Sequence, residues 1–161
     1  MPRIELRPAD PSHWADATNL HVRPDQESFV PPVEESRLID LSDTELAHEP
    51  LFIWSGGILV GFCSIYWPTR HSRRVFLGGF LIDAKHQGRG LGKAAFDALL
   101  MRVRDRHPDC RLVTLTVHPD NVTAQTLYRN AGFVPTGREI AGHLVFDRAL
   151  HPPDRRPYPA P

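Results

Sequence analysis

Six consecutive residues constrain this chain more than any others: Gln87-Gly88-Arg89-Gly90-Leu91-Gly92. They follow residues 75–82, a nearly uninterrupted apolar run rich in β-branched and aromatic side chains, which suits a strand at the centre of a sheet. They precede residues 93–107, where Ala95, Phe96, Leu99, Leu100 and Val103 share one amphipathic face. The order predicts strand, glycine loop, helix. Glycine costs about 1 kcal/mol per helical position, so three of them argue for a loop whose bare backbone must come close to something. A dinucleotide fingerprint needs a third glycine where Lys93 stands, and a nucleotide-triphosphatase loop needs glycine at Gln87 and a hydroxyl residue at Ala94. Both patterns fail. What remains is a set of free N–H groups opening a helix, with Arg89 and Lys93 adding positive charge, and that chemistry suits a pyrophosphate. A plain glycine-rich helix start is the competing account.

The rest of the chain falls into alternating elements. Residues 4–6 alternate as a short strand. A helix is predicted from Asp10 or Ser12, carrying Trp14, Ala17 and Leu20 and ended by Pro24. Phe29-Val30 and a Pro31-Pro32 break lead to a second helical region over 33–46. Residues 51–54, Ser55-Gly56-Gly57 and residues 58–67 read as a β-hairpin. Gly78-Gly79 inside the central strand weakens it or opens space beside it. Further strands are predicted over 110–117, 133–140 and 143–150, with a helix over 121–130 capped by Ala131-Gly132. Residues 1–150 make one domain, and residues 151–161, with five prolines, a disordered tail.

Composition excludes whole classes. With 161 residues, 41% apolar and 24% charged, the chain reads as one ordinary globular domain. No apolar run approaches the roughly 18 residues of a membrane span, and the amino terminus lacks a secretory signal's apolar segment, so a cytoplasmic protein is expected. Cys63 and Cys110 sit in apolar runs and read as reduced, buried thiols. No His pair has metal-site spacing, so no metal is expected. Residues 1–50 hold 4 Lys+Arg against 11 Asp+Glu, and residues 51–161 hold 15 against 8. That division suits a phosphate-bearing ligand on one side and a cation on the other, or a merely uneven surface. No basic stripe with interleaved aromatics points to nucleic acid.

A second motif lies downstream: Asn121-Val122-Thr123-Ala124-Gln125-Thr126-Leu127-Tyr128, then Ala131-Gly132-Phe133. Together with the glycine loop it resembles the acetyl-CoA signature of the GNAT superfamily of N-acetyltransferases, over about residues 3–150. Residues 32–36, 81–87 and 119–121 are most similar to the bacterial spermine/spermidine N-acetyltransferase branch. The resemblance implies an α/β (α+β) fold: a central mixed, mostly antiparallel sheet of six to seven strands flanked by about four helices, splayed between its fourth and fifth strands. It implies acetyl-CoA as cosubstrate and a small primary amine, polyamine-like, as acceptor, attacked directly in a ternary complex. A homodimer is compatible with it.

The same resemblance assigns roles. Leu81, Ile82, Asp83, the loop from Gln87, Gly88, Arg89, Gly90, Leu91 and Gly92 to Lys93, and Asn121, Ala124 and Tyr128 are the implied cofactor residues. A backbone N–H of the strand, Ile82, is the implied oxyanion donor. Tyr128 lies seven residues after Asn121 and four after Ala124, on one helix face, and its phenol is the natural acid for a departing thiolate. Tyr128 as a core residue and Asn121 as a simple helix cap are the competing accounts. Glu35, Gly79, Phe80 and His118 are placed at the acceptor, and Glu34, Glu35, His71, Asp83 and His118 are the available bases. Two departures from the polyamine branch matter: Gly78-Gly79-Phe80 replaces bulkier side chains, and His143 stands where an acid is common. His71, Arg73 and Arg74 would repel a polycation. An antibiotic-like or metabolite amine, a protein amino terminus, and a non-catalytic acetyl-CoA sensor are the alternatives.

Overall fold

Gly56 and Gly57 take φ of 57° and 77°, the left-handed pair that a two-residue hairpin turn needs, and they join the two longest strands. In the computed structural model, which describes residues 2–37, 45–70 and 73–150, these are β2 (Leu46–Ser55) and β3 (Ile58–Pro68). β1 (Ile4–Pro8) pairs with β2, and β4 (Arg74–Ile82) with β3, both antiparallel. β5 (Leu112–Val117) joins β4 in the one parallel pairing, and β7 (His143–Ala149) and β6 (Val134–Ile140) complete the order β1-β2-β3-β4-β5-β7-β6. The expected mixed, mostly antiparallel sheet is present with seven strands.

Strand alternation divides the core between two faces. Leu51, Ile53, Cys63, Ile65 and Val75 pack with α3 (Leu91–Arg106), whose Phe96, Leu99 and Val103 are fully buried. α4 (Val122–Asn130) adds Tyr128 to that face. On the other face Phe52, Trp54, Phe62 and Leu81 meet Trp14 of α1 (Trp14–Ala17) and Val33 of α2 (Val33–Arg37). The Trp14 ring meets Phe52 edge-on at 5.2 Å.

Several boundaries differ from the sequence reading. Leu46 belongs to β2, not to a helix, because cross-strand pairing from Leu46↔Pro68 to Ser55↔Ile58 decides residues 46–55; α2 is described only to Arg37, and residues 38–44 lie outside the described residues. The first helix is a 3-10 turn over Pro11–His13 followed by one α-turn, and Pro24 opens a second 3-10 turn where it was expected to end the helix. Cys110 precedes β5, its N–H bonded to the His107 carbonyl at 2.9 Å as the chain leaves α3. Residues 151–161, expected as a tail, and His71 also lie outside the described residues.

Candidate active site

β4 and β5 run side by side only from Arg74↔Leu112 to Leu77↔Leu115. Beyond that β4 carries a bulge: Ser64 faces Gly78 and Phe62 faces Leu81, and Gly79 takes φ of 61°. A side chain at 79 would strain that backbone, whereas glycine adopts it freely, and the bulge bends the strand away. β5 meanwhile stays with β7 as far as Val117↔Leu144. The two middle strands therefore part, and a cavity of about 700 Å³ occupies the opening.

The free edge of β4 carries donors into this opening. Asp83 N–H donates to the Val60 carbonyl at 2.8 Å, and in an antiparallel ladder the neighbouring residue turns its own N–H and carbonyl to the opposite edge. Ile82 therefore points both toward the β5 side, where its carbonyl accepts Gln87 Nε2 at 2.9 Å. The same Gln87 amide donates to Gln26 Oε1 at 2.9 Å. One side chain thus links the central strand, the glycine loop and the segment before α2.

Gly88 and Gly90 both take φ of 77°, and no atom lies within 4 Å of where a Cβ would stand on either. The loop presents bare backbone to open space. Gly90 is the N-cap of the sixteen-residue α3 and has no side-chain cap, so the amides of the first turn keep free hydrogens beside the positive end of the helix dipole. This donor set fits a pyrophosphate.

Across the opening, Asn121, Ala124 and Tyr128 of the α4 segment line the cavity together, as their spacing predicts. Asn121 Oδ1 caps the helix by accepting Ala124 N–H at 3.2 Å. The Tyr128 ring packs against Phe96 and Phe133, with centroids 5.2 and 6.3 Å away, and burial pushes its phenol up to about 12. Tyr128 lines the cavity, and burial is the one cause of the shift of its phenol, with no hydrogen bond contributing.

The cavity also gathers Leu81, Ile82, Gln87, Gly88, Gly92, Gly79, Phe80 and His118. Arg89, Gly90 and Lys93 are exposed and do not line the cavity, and Lys93 stands 3.5 Å from Asp97. Four residues are placed elsewhere. The Asp83 carboxylate accepts His21 N–H at 3.0 Å and so anchors the chain before Pro24. Leu91 is buried in the core. Glu35 is exposed on α2 and does not line the cavity, and neither does Glu34. Conversely, Arg23, Gln26, Phe29 and Val30 border the cavity although the sequence assigned them nothing. The apolar pair Phe29-Val30 before two prolines, in an acidic stretch, was the available signal.

The profile of the acetyltransferase (GNAT) family matches residues 13–133. The spermine/spermidine N(1)-acetyltransferase of Bacillus subtilis (strain 168) is 30% identical over 155 residues, covering 91% of this chain and 99% of that protein. Among solved structures, spermidine N-acetyltransferase from Vibrio cholerae in complex with CoA and spermine superposes with a TM-score of 0.69 at 19% identity, covering 91% and 95% of the two chains. An aminoglycoside acetyltransferase in complex with coenzyme A gives 0.72 at 18% identity, covering 91% and 95%.

Proposed function

The chain belongs to the acetyltransferase (GNAT) family and is an acetyl-CoA-dependent N-acetyltransferase, and within that family we propose that it acetylates a primary amine of the polyamine kind. The support for this acceptor is the Bacillus relative, matched over nearly its whole length. When bound, acetyl-CoA supplies an acyl group activated as a thioester. The first-turn amides of α3 and the left-handed Gly88 and Gly90 hold the diphosphate. Ile82 N–H donates to the carbonyl oxygen as negative charge grows there; a single donor of this type is worth roughly 3 to 4 kcal/mol in other enzymes. The Tyr128 hydroxyl holds a proton for the departing sulfur, and Asn121, with its Oδ1 committed to the helix cap, keeps its Nδ2 for the pantetheine arm. Asp120 N–H donates to His118 Nδ1 at 3.1 Å, which leaves the proton of the neutral ring on Nε2, so His118 is read as a wall of the acceptor site and not as a base.

The observation that carries the reading is the wedge between β4 and β5, with the glycine loop, Ile82 and Tyr128 on its borders. A second reading has its own support: no Asp or Glu among the described residues lines the cavity, which favours a small antibiotic-like or metabolite amine over a long polycation. CoA release across spermine, spermidine, putrescine, aminoglycosides and a short peptide decides between them. Turnover of spermidine or spermine is expected, release only with aminoglycosides or peptide would replace the polyamine, and silence with all of them would leave a sensor. No helix among the described residues is long and apolar enough to cross a membrane. The proposal includes a cytoplasmic location with neither membrane nor nucleic acid as partner, and light scattering would read whether a homodimer forms.

A further inference from the structure

An ammonium group entering this cavity loses water and needs compensation. The lining supplies no carboxylate among the described residues, and its one side chain of fixed charge, Arg23, has the wrong sign and stands 3.5 Å from Asp25. What the lining does supply is rings. Phe29 comes from the segment before α2, His118 from the end of β5 and His143 from the start of β7, and all three border the cavity. The Phe29 and His143 centroids stand 4.9 and 5.6 Å from that of His118, at interplanar angles of 42° and 63°, so the three rings touch in series without stacking flat and present a continuous aromatic wall to the cavity. The Asp120 N–H bond to Nδ1 fixes the central ring. Aromatic faces attract a cation that lies within about 6 Å of the ring centroid.

We propose that Phe29, His118 and His143 form an aromatic cradle that seats the cationic nitrogen of the acceptor amine. This rests on the acetyltransferase reading above and names the part of the site that selects the acceptor. The absence of a carboxylate among the described lining residues then has a chemical purpose. A carboxylate beside the ammonium would favour its charged form and oppose the loss of the proton that must precede attack. Ring faces hold the cation more weakly, and the lone-pair form stays within reach.

The test uses tetraethylammonium, a cation with no N–H to acetylate, titrated calorimetrically into the full chain in the presence of CoA. The wild type binds it; Phe29→Leu, which keeps an apolar side chain and removes the ring, weakens binding roughly three- to thirtyfold, and Phe29→Trp restores it. His143→Leu, at a half-buried strand end, gives the same loss by an independent route. In turnover, His143→Glu lowers both the KM for the amine and kcat, because the new carboxylate stabilises the unreactive ammonium. No binding of the probe to the wild type, or binding to both leucine variants as tight as to the wild type, overturns the cradle. If no amine releases CoA while probe binding still depends on Phe29, the acetyltransferase reading falls and the cradle stands.

Discussion

Replacing Tyr128 by Phe removes one oxygen and leaves the ring. The contacts with Phe96 at 5.2 Å and Phe133 at 6.3 Å survive, and no hydrogen bond contributes to the shift of the lost hydroxyl. The fold should therefore lose less than about 1 kcal/mol, with Tm within a few degrees of wild type. Turnover should suffer more. General acid catalysis is worth typically 10²- to 10⁴-fold. A thiolate, whose parent thiol has a pKa near 8.5, is an easy leaving group, so the low end applies: about a hundredfold in kcat, or about 2.7 kcal/mol of barrier. The KM for acetyl-CoA should barely move, because the proton is needed in the transition state and not in binding. Burial raises the phenol to about 12, so the acid form persists across the working range and kcat should show no alkaline fall from this group below pH 10. The same shift has a stability sign. A folded pKa above the unfolded value of about 10 gives stability that is complete below pH 10 and is lost as pH rises through 12, about 3 kcal/mol in all. Tyr128→Phe should flatten that loss. Stopped-flow detection of free CoA thiol and thermal melts at pH 9 to 12 read both effects; a kcat within about threefold of wild type would place the proton donor elsewhere.

Three further outcomes follow from named positions. Gly90→Val forces a β-branched residue into φ of 77°, costs on the order of 1–2 kcal/mol, and should abolish measurable acetyl-CoA binding by calorimetry; normal affinity would discredit the loop as the diphosphate site. Gly61→Ala would drive a Cβ into the Leu81 carbonyl oxygen, a backbone atom that cannot swing away, so a melt should show a loss on the order of 2–3 kcal/mol together with reduced kcat as the Leu81-Ile82 stretch shifts; an unchanged melt would mean the strands part readily there. Cys63 is fully buried and its thiol is pushed strongly upward by desolvation, so a disulfide reagent should leave it unlabelled until denaturant is added. Labelling in native buffer would reveal local opening of β3.

What was legible in the sequence was what is local. The apolar run over 75–82, the glycines at 88 and 90 and the spacing of Asn121, Ala124 and Tyr128 each specify geometry within a few residues, and residues 77–82, Gly88, Asn121, Ala124 and Tyr128 line the cavity. Contacts made across the chain were not legible. Gln26 meets Gln87 sixty-one positions away, and His21 meets Asp83 at sixty-two, so nothing in the pattern around residue 26 marks it as a neighbour of the glycine loop. Asp83 illustrates the converse: it stands next to the glycine motif, yet its carboxylate accepts a backbone amide from a distant segment. Leu46 shows how a helical period among acids gives way once a partner strand offers ten residues of pairing.

The Gln87 amide, shared between Gln26 and the Ile82 carbonyl, ties the glycine loop both to the central strand and to the segment that borders the cavity. Linkage is reciprocal: whatever factor the nucleotide adds to the grip on the amine, the amine must add to the grip on the nucleotide. Any such coupling routed through this carboxamide would act equally on both ligands, although Gln87 itself reacts with neither.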